Sequence, residues 1–181
     1  MKRVGGGVVL GAGIALGVAL GWAPRSAFVP AANGAESASL AARVQALEDH
    51  LAIEQLLMQY GVALDSRDFA TYSQLFAREG TWSGSIGTFK GPAAIKQAME
   101  KAFNRPGPPA PGGTFHLLTN PIIQVHGERA TAISKWTFCR TIDGKPTIAL
   151  AGSYDDTLVR EGGTWKFLTR VASQAAAPAA N

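Results

Sequence analysis

The sequence predicts an α+β fold, a curved antiparallel sheet packed on N-terminal helices. Three observations predict it. Helix-type apolar spacing dominates the chain before Phe103, four long strand-type runs lie between Thr114 and Ala172, and short glycine-containing turns separate those runs. A sheet with an apolar face and helices with apolar sides bury both by forming two layers around one core. At 181 residues, 46% apolar and 17% charged, the chain suits a single domain.

The start of the chain reads as targeting. Met1, Lys2 and Arg3 form a short basic start, an uncharged run follows from Val4 to Ala23, and Val29-Pro30-Ala31 supplies small residues for cleavage. Residues 1–31 fit a signal peptide or an N-terminal anchor, since the run is about as long as the roughly 20 residues a membrane helix needs. Its many glycines weaken such a helix and favour cleavage. Residues 32–37 are then a linker, 38–173 the domain, and the Ala/Pro-rich 174–181 a disordered tail.

Within the domain, Leu40, Val44, Leu47 and Leu51, continued by Ile53, Leu57, Tyr60 and Leu64, mark an amphipathic helix with a break expected near Asp49. Asp68 caps a second short helix whose apolar side is Tyr72, Leu75 and Phe76 and which Gly80 stops. Thr81–Ser83 and Gly87–Lys90 are short strands. Pro92 opens a third helix with Ile95, Met99 and Phe103 on its buried side. Four prolines and three glycines make residues 105–113 a loop, placed where a lid would lie. Strands over 114–125, 130–142, 147–159 and 164–172 then form an antiparallel meander.

Charge and cysteine content exclude some functions. Removing Lys2, Arg3 and Arg25 with the leader takes the 17 basic residues to 14 against 13 acids, so net charge falls from +4 to +1. No basic stripe remains for nucleic acid. Cys139 is the only cysteine, which rules out an intramolecular disulfide and a cysteine-based zinc site; in a strand setting it reads as a small packed hydrophobe.

Two ionisable residues stand out. Asp65 ends the first helical stretch at the border of its apolar stripe. His116 opens the first long strand, and alternation places it with Leu118, Asn120 and Ile122, opposite Phe115, Leu117 and Ile123, on a strand apolar on both faces. A histidine buried there needs a hydrogen-bond partner, and a carboxylate from the underlying helix is a natural one. Each residue by itself also fits a plain structural role, Asp65 as a solvated helix end and His116 as a satisfied core histidine. His50 and His126 fall in polar segments facing solvent.

Residues 45–172 carry a set of features: Ile53-Glu54-Gln55-Leu56-Leu57 leading to Tyr60 and Asp65, Asp68-Phe69, Leu75-Phe76, and Gly87-Thr88-Phe89-Lys90-Gly91-Pro92. His116-Leu117-Leu118-Thr119-Asn120-Pro121 and a closing Gly163-Thr164-Trp165-Lys166-Phe167 complete it. In this set the sequence resembles the SnoaL-like family of the nuclear-transport-factor-2-like (NTF2-like) superfamily. The resemblance implies the NTF2-like cone around an apolar pocket, and the pattern is most like hexachlorocyclohexane dehydrochlorinase and scytalone dehydratase. It places Asp65 and His116 on an Asp–His pair that removes a proton without a cofactor or metal. Tyr60, Trp82, Phe89, Asn120, Trp136 and Tyr154 are the pocket candidates, with Arg140 or Arg160 to steady an oxyanion or leaving group. The implied partner is a small hydrophobic molecule, with a homo-oligomer, dimer or trimer, formed through the exposed sheet face. The same fold also hosts non-catalytic binding proteins and oxygenase subunits; an export leader argues against the latter.

Overall fold

A computed structural model describes residues 33–103 and 113–175. The leader of residues 1–31, the lid position at 105–113 except its last residue, and the tail beyond residue 175 lie outside the described residues. Among those described, no helix is long and apolar enough to cross a membrane.

The chain forms α1 (Asn33–Asp65), α2 (Phe69–Gln74), β1 (Phe76–Gly84), β2 (Gly87–Lys90), α3 (Pro92–Phe103), β3 (Thr114–His126), β4 (Arg129–Ile142), β5 (Lys145–Glu161) and β6 (Thr164–Gln174). The strands make one six-stranded sheet in the order β2-β1-β6-β5-β4-β3. The expected meander is β3 to β6. The sheet as a whole is mixed, because β1 returns beside β6 and runs parallel to it. Asp143 and Gly144, and likewise Gly162 and Gly163, all have positive φ, the mirror-image turn that matches the twist of two-residue hairpins.

α1 is continuous through Asp49, with no break there. The buried Asp49 carboxylate accepts hydrogen bonds from Gln45, from Trp165 Nε1 (3.1 Å) and from Arg160, so the helix has no need to open to solvate it. The buried side of α1 is Ile53, Leu56, Leu57, Tyr60, Ala63 and Leu64. Leu40, Val44, Leu47 and Leu51, expected to share that side, are exposed, because the sheet lies under only the second half of the helix. The helix reaches back to Asn33, so most of the segment read as linker is helical.

Asp68 caps α2, its Oδ1 accepting from Thr71 N–H at 3.0 Å. α2 ends at Gln74, and Phe76, expected on the helix, begins β1 opposite Phe167. Gly80 lies inside β1 instead of stopping a helix. A Cβ there would sit 2.8 Å from both Ala77 O and Phe167 O, so only glycine allows the close approach. At the far end β6 runs through Gln174, one residue into the segment read as a tail, and Ala175 N–H still bonds Ala151 O.

β3 departs from simple alternation. Asn120 has φ 53° and the register with β4 slips between Thr119 and Ile122, a bulge that reverses which residues face inward. His116 and Leu118 face the core before it, and Ile123 and Val125 after it, while Ile122 is exposed. Nor is the strand buried on both faces: Phe115 and Leu117 lie on the open outer side.

Candidate active site

The inner face of the sheet and the three helices enclose a cavity of about 500 Å³. That volume suits a small organic ligand. From the helices, Tyr60, Leu64 and Asp65 of α1, Tyr72 of α2, and Met99 and Phe103 of α3 reach it. From the strands come Trp82, His116, Trp136, Phe138, Leu150 and Tyr154.

Asp65 and His116 meet at the cavity wall. Asp65 is the last residue of α1, where the helix end frees its side chain to turn toward β3. His116 Nδ1 lies 2.6 Å from Asp65 Oδ1, and the His116 backbone N–H donates to Oδ2 at 2.8 Å. One carboxylate thus fixes both the ring and the strand that carries it. With Asp65 ionised, Nδ1–H is the donor and Nε2 keeps its lone pair. Phe138 packs against the imidazole at 4.9 Å between centroids. Both side chains are largely screened from solvent, 14% exposed for His116 and 23% for Asp65, so water weakens their interaction little.

A second polar group lies among the aromatic walls. Tyr72 Oη donates to Tyr60 Oη at 2.7 Å, and Trp82 Nε1 donates to the same oxygen at 3.0 Å. Burial pushes the hydroxyls of Tyr72 and Tyr154 well above their ordinary range, so both stay protonated. Behind them lies Arg170, fully buried, its Nε and Nη2 each 2.9 Å from an Asp156 oxygen. The guanidinium carbon sits 3.9 Å from the ring centroids of both Tyr60 and Tyr154. Burial opposes its charge, but Asp156 and the two tyrosines more than offset that and hold Arg170 above its ordinary value.

Of the pocket residues expected from sequence, Tyr60, Trp82, Trp136 and Tyr154 line the cavity. Three do not. Phe89 stacks behind Trp82 at 6.2 Å, Asn120 is turned out to solvent by the β3 bulge, and Arg140 is exposed. Arg160 is also elsewhere, paired with Asp49 and Glu128 and lying over the Trp165 ring at 4.7 Å. Among the described residues the cations near the cavity are others: Arg67, held at φ 61° between α1 and α2 with its guanidinium over Phe103, lines it, and Arg170 lies beneath it. Arg170 and Asp156 are register partners across β5 and β6, a signal that exists only once those strands are aligned. Among the described residues no cluster of three or more His, Cys, Asp or Glu is placed to hold a metal.

A helix-backed curved sheet around an apolar cavity, with a carboxylate–imidazole pair on its wall, defines an α+β cone. The chain belongs to the SnoaL-like domain family, whose model matches residues 45–171. No curated protein matches it in sequence. Among solved structures it is similar to an NTF2-like protein with a cystatin-like fold from Novosphingobium aromaticivorans, with 27% identity, TM-score 0.67, and coverage of 77% of this chain and 90% of that one. A scytalone dehydratase-like protein from the same organism gives 26% identity and TM-score 0.59 over 72% of this chain and 86% of that one. The hexachlorocyclohexane dehydrochlorinase LinA-type3 of Novosphingobium barchaimii shares the fold, with 19% identity and TM-score 0.62 over 74% and 91%.

Proposed function

We propose that this chain is an exported, cofactor-independent lyase or isomerase acting on a small hydrophobic molecule, with His116 as the base and Asp65 as the residue that orients it. The observation that carries the reading is the 2.6 Å bond between Asp65 and His116 Nδ1 at the wall of an apolar cavity. Asp65 holds the tautomer with Nε2 free and stabilises the imidazolium that forms when Nε2 takes a proton from carbon. The electron pair left behind forms a double bond as a β-substituent departs, or the proton returns at another carbon. Dehydratase-like and dehydrochlorinase relatives within the fold are consistent with that chemistry.

The test is deuterium uptake from heavy water, or elimination, across a panel of small ketones and chlorinated rings. His116→Ala should lower the rate by about 10²–10⁴, the usual contribution of a positioned base. An undiminished rate removes His116 from the chemistry. Ligand binding without exchange by any panel member would favour the alternative, a binding protein that uses the same cavity. Export rests on the basic, apolar start of residues 1–31, and a chain recovered from its native cells still beginning at Met1 would overturn cleavage. Self-association rests on the outer sheet face, where Phe115, Leu117, Ile122, Ile133 and Ile148 stand exposed together; a monomeric mass by light scattering would refute it.

A further inference from the structure

We infer that the exposed side of α1 is a dimer interface, on which a second copy of this chain lays its own α1 in parallel to form a two-stranded coiled coil. The surface is separate from the cavity and from the outer sheet face, so the inference stands apart from the chemistry proposed above. Leu40, Val44, Leu47, Leu51 and Met58 are 43–71% exposed along one side of the helix. Their spacings are those of a heptad seam, with Leu40 and Leu47 at d and Val44, Leu51 and Met58 at a. The residues that α1 buries in its own core, Ile53, Leu56, Leu57, Tyr60, Ala63 and Leu64, all fall at c, f and g. Those positions lie on the other side of the helix, so the two domains of a pair stand on its outer sides.

Charge selects the partner and its direction. In a parallel pair each g side chain meets the e side chain five residues further along the other helix. Arg43 is at g and Glu48 at e, five residues apart and both exposed, so symmetry gives the pair two Arg43–Glu48 contacts. An antiparallel pair sets g beside g and e beside e and loses both. Val44 at a, with Leu40 and Leu47 at d, favours two strands over three or four. On two copies the five seam residues expose on the order of 1,000 Å², about the size at which a specific interface begins. Glu54 at d is the polar residue of the seam, and the two carboxylates that meet there fix the register at a cost in stability. A membrane surface is the other partner for an apolar helix stripe. It needs basic flanks, and Arg43 is the only Lys or Arg of α1, beside acids at Glu36, Glu48, Asp49, Glu54 and Asp65.

The experiment uses the chain as its native cells process it. Leu40→Cys puts a thiol at d, where the two helices of a parallel pair come close enough for a disulfide. Mild oxidation should link that variant into a covalent dimer and leave the wild type unlinked, because its one cysteine, Cys139, is buried. Analytical ultracentrifugation reads the affinity. Leu47→Glu should weaken dimerisation by about a hundredfold, since it sets two unpaired carboxylates in the seam, with tryptophan emission unchanged as proof of folding. Arg43→Glu and Glu48→Arg should each weaken it by about tenfold, and the double swap should restore it. A monomeric wild type, no disulfide from Leu40→Cys, or a double swap as weak as the single variants overturns the inference. So does a monomer that floats with phosphatidylglycerol vesicles and loses them on Leu47→Glu. The two surfaces fail separately: association lost on Leu117→Ser and kept by Leu47→Glu leaves the sheet face alone, and the reverse leaves α1 alone.

Discussion

Replacing Asp156 by asparagine strips the buried Arg170 of its counter-charge and leaves the neighbouring packing almost unchanged in volume. Both side chains are fully buried and joined by two parallel bonds of 2.9 Å. Charge centres roughly 4 Å apart at an effective dielectric constant of about 20 attract by about 4 kcal/mol. Removing one partner of such a buried pair typically costs about 3–5 kcal/mol, because the remaining charge is neither solvated nor neutralised. That is a large fraction of the roughly 5–15 kcal/mol by which a domain is stable. At about 2–4 °C per kcal/mol for a chain of this size, the melting temperature should fall by on the order of 10 °C. Equilibrium urea unfolding followed by tryptophan fluorescence reads the loss directly. The double variant Asp156→Leu, Arg170→Met should recover much of it, since paired replacement by apolar groups leaves no orphan charge. A loss below about 1 kcal/mol for Asp156→Asn, or a double variant as unstable as the two single losses added together, would refute the reasoning.

Two further outcomes follow from the fold. At Asp49, burial raises the carboxyl but the bonds from Arg160, Trp165 and Gln45 outweigh it and hold the group below its ordinary value. A carboxylate depressed in the folded state adds stability above its unfolded value of about 3.9 and loses it as pH falls through the folded value. Asp49→Asn should therefore be less stable than wild type by about 1–3 kcal/mol at neutral pH, with the gap closing below about pH 4; urea titrations at both pH values check it, and a gap unchanged by acid would contradict the assignment. At Gly152 a Cβ would fall 2.0 Å from Ser173 O and 2.6 Å from the Trp136 ring, against backbone and a cavity-wall side chain. Gly152→Ala should cost about 1–3 kcal/mol and displace Trp136 in the cavity wall, visible as altered tryptophan emission; a variant as stable as wild type would show that the two strands are not so closely set.

The candidate pair is legible in the sequence because both its members sit where local rules are informative. Asp65 lies where a helical stripe ends, and His116 starts an apolar strand with a polar side chain that needs a partner. The family resemblance joined them across 51 residues. Tyr60, Trp82, Trp136 and Tyr154 were legible in the same way, as aromatic residues on apolar faces. Asn120 lies outside the pocket because strand alternation does not continue through a β-bulge, where one extra residue exchanges inside for outside for everything beyond it. Phe76 fits the end of α2 and the start of a buried strand equally well by its short apolar run, and pairing with Phe167 decides for the strand.

What the sequence determined by itself is local: the order of helices and strands, the glycine turns of the meander, and the helix cap at Asp68. These depend on side chains within a few residues of one another. Tertiary structure decided the rest. It set β1 parallel to β6, buried Asp49 where a break was expected, left Leu40 to Leu51 exposed, and brought Arg170 beneath Tyr60 in place of Arg140 or Arg160. Each of those depends on strand register or on which surface a helix meets, contacts between residues far apart in the chain whose energies no local pattern contains.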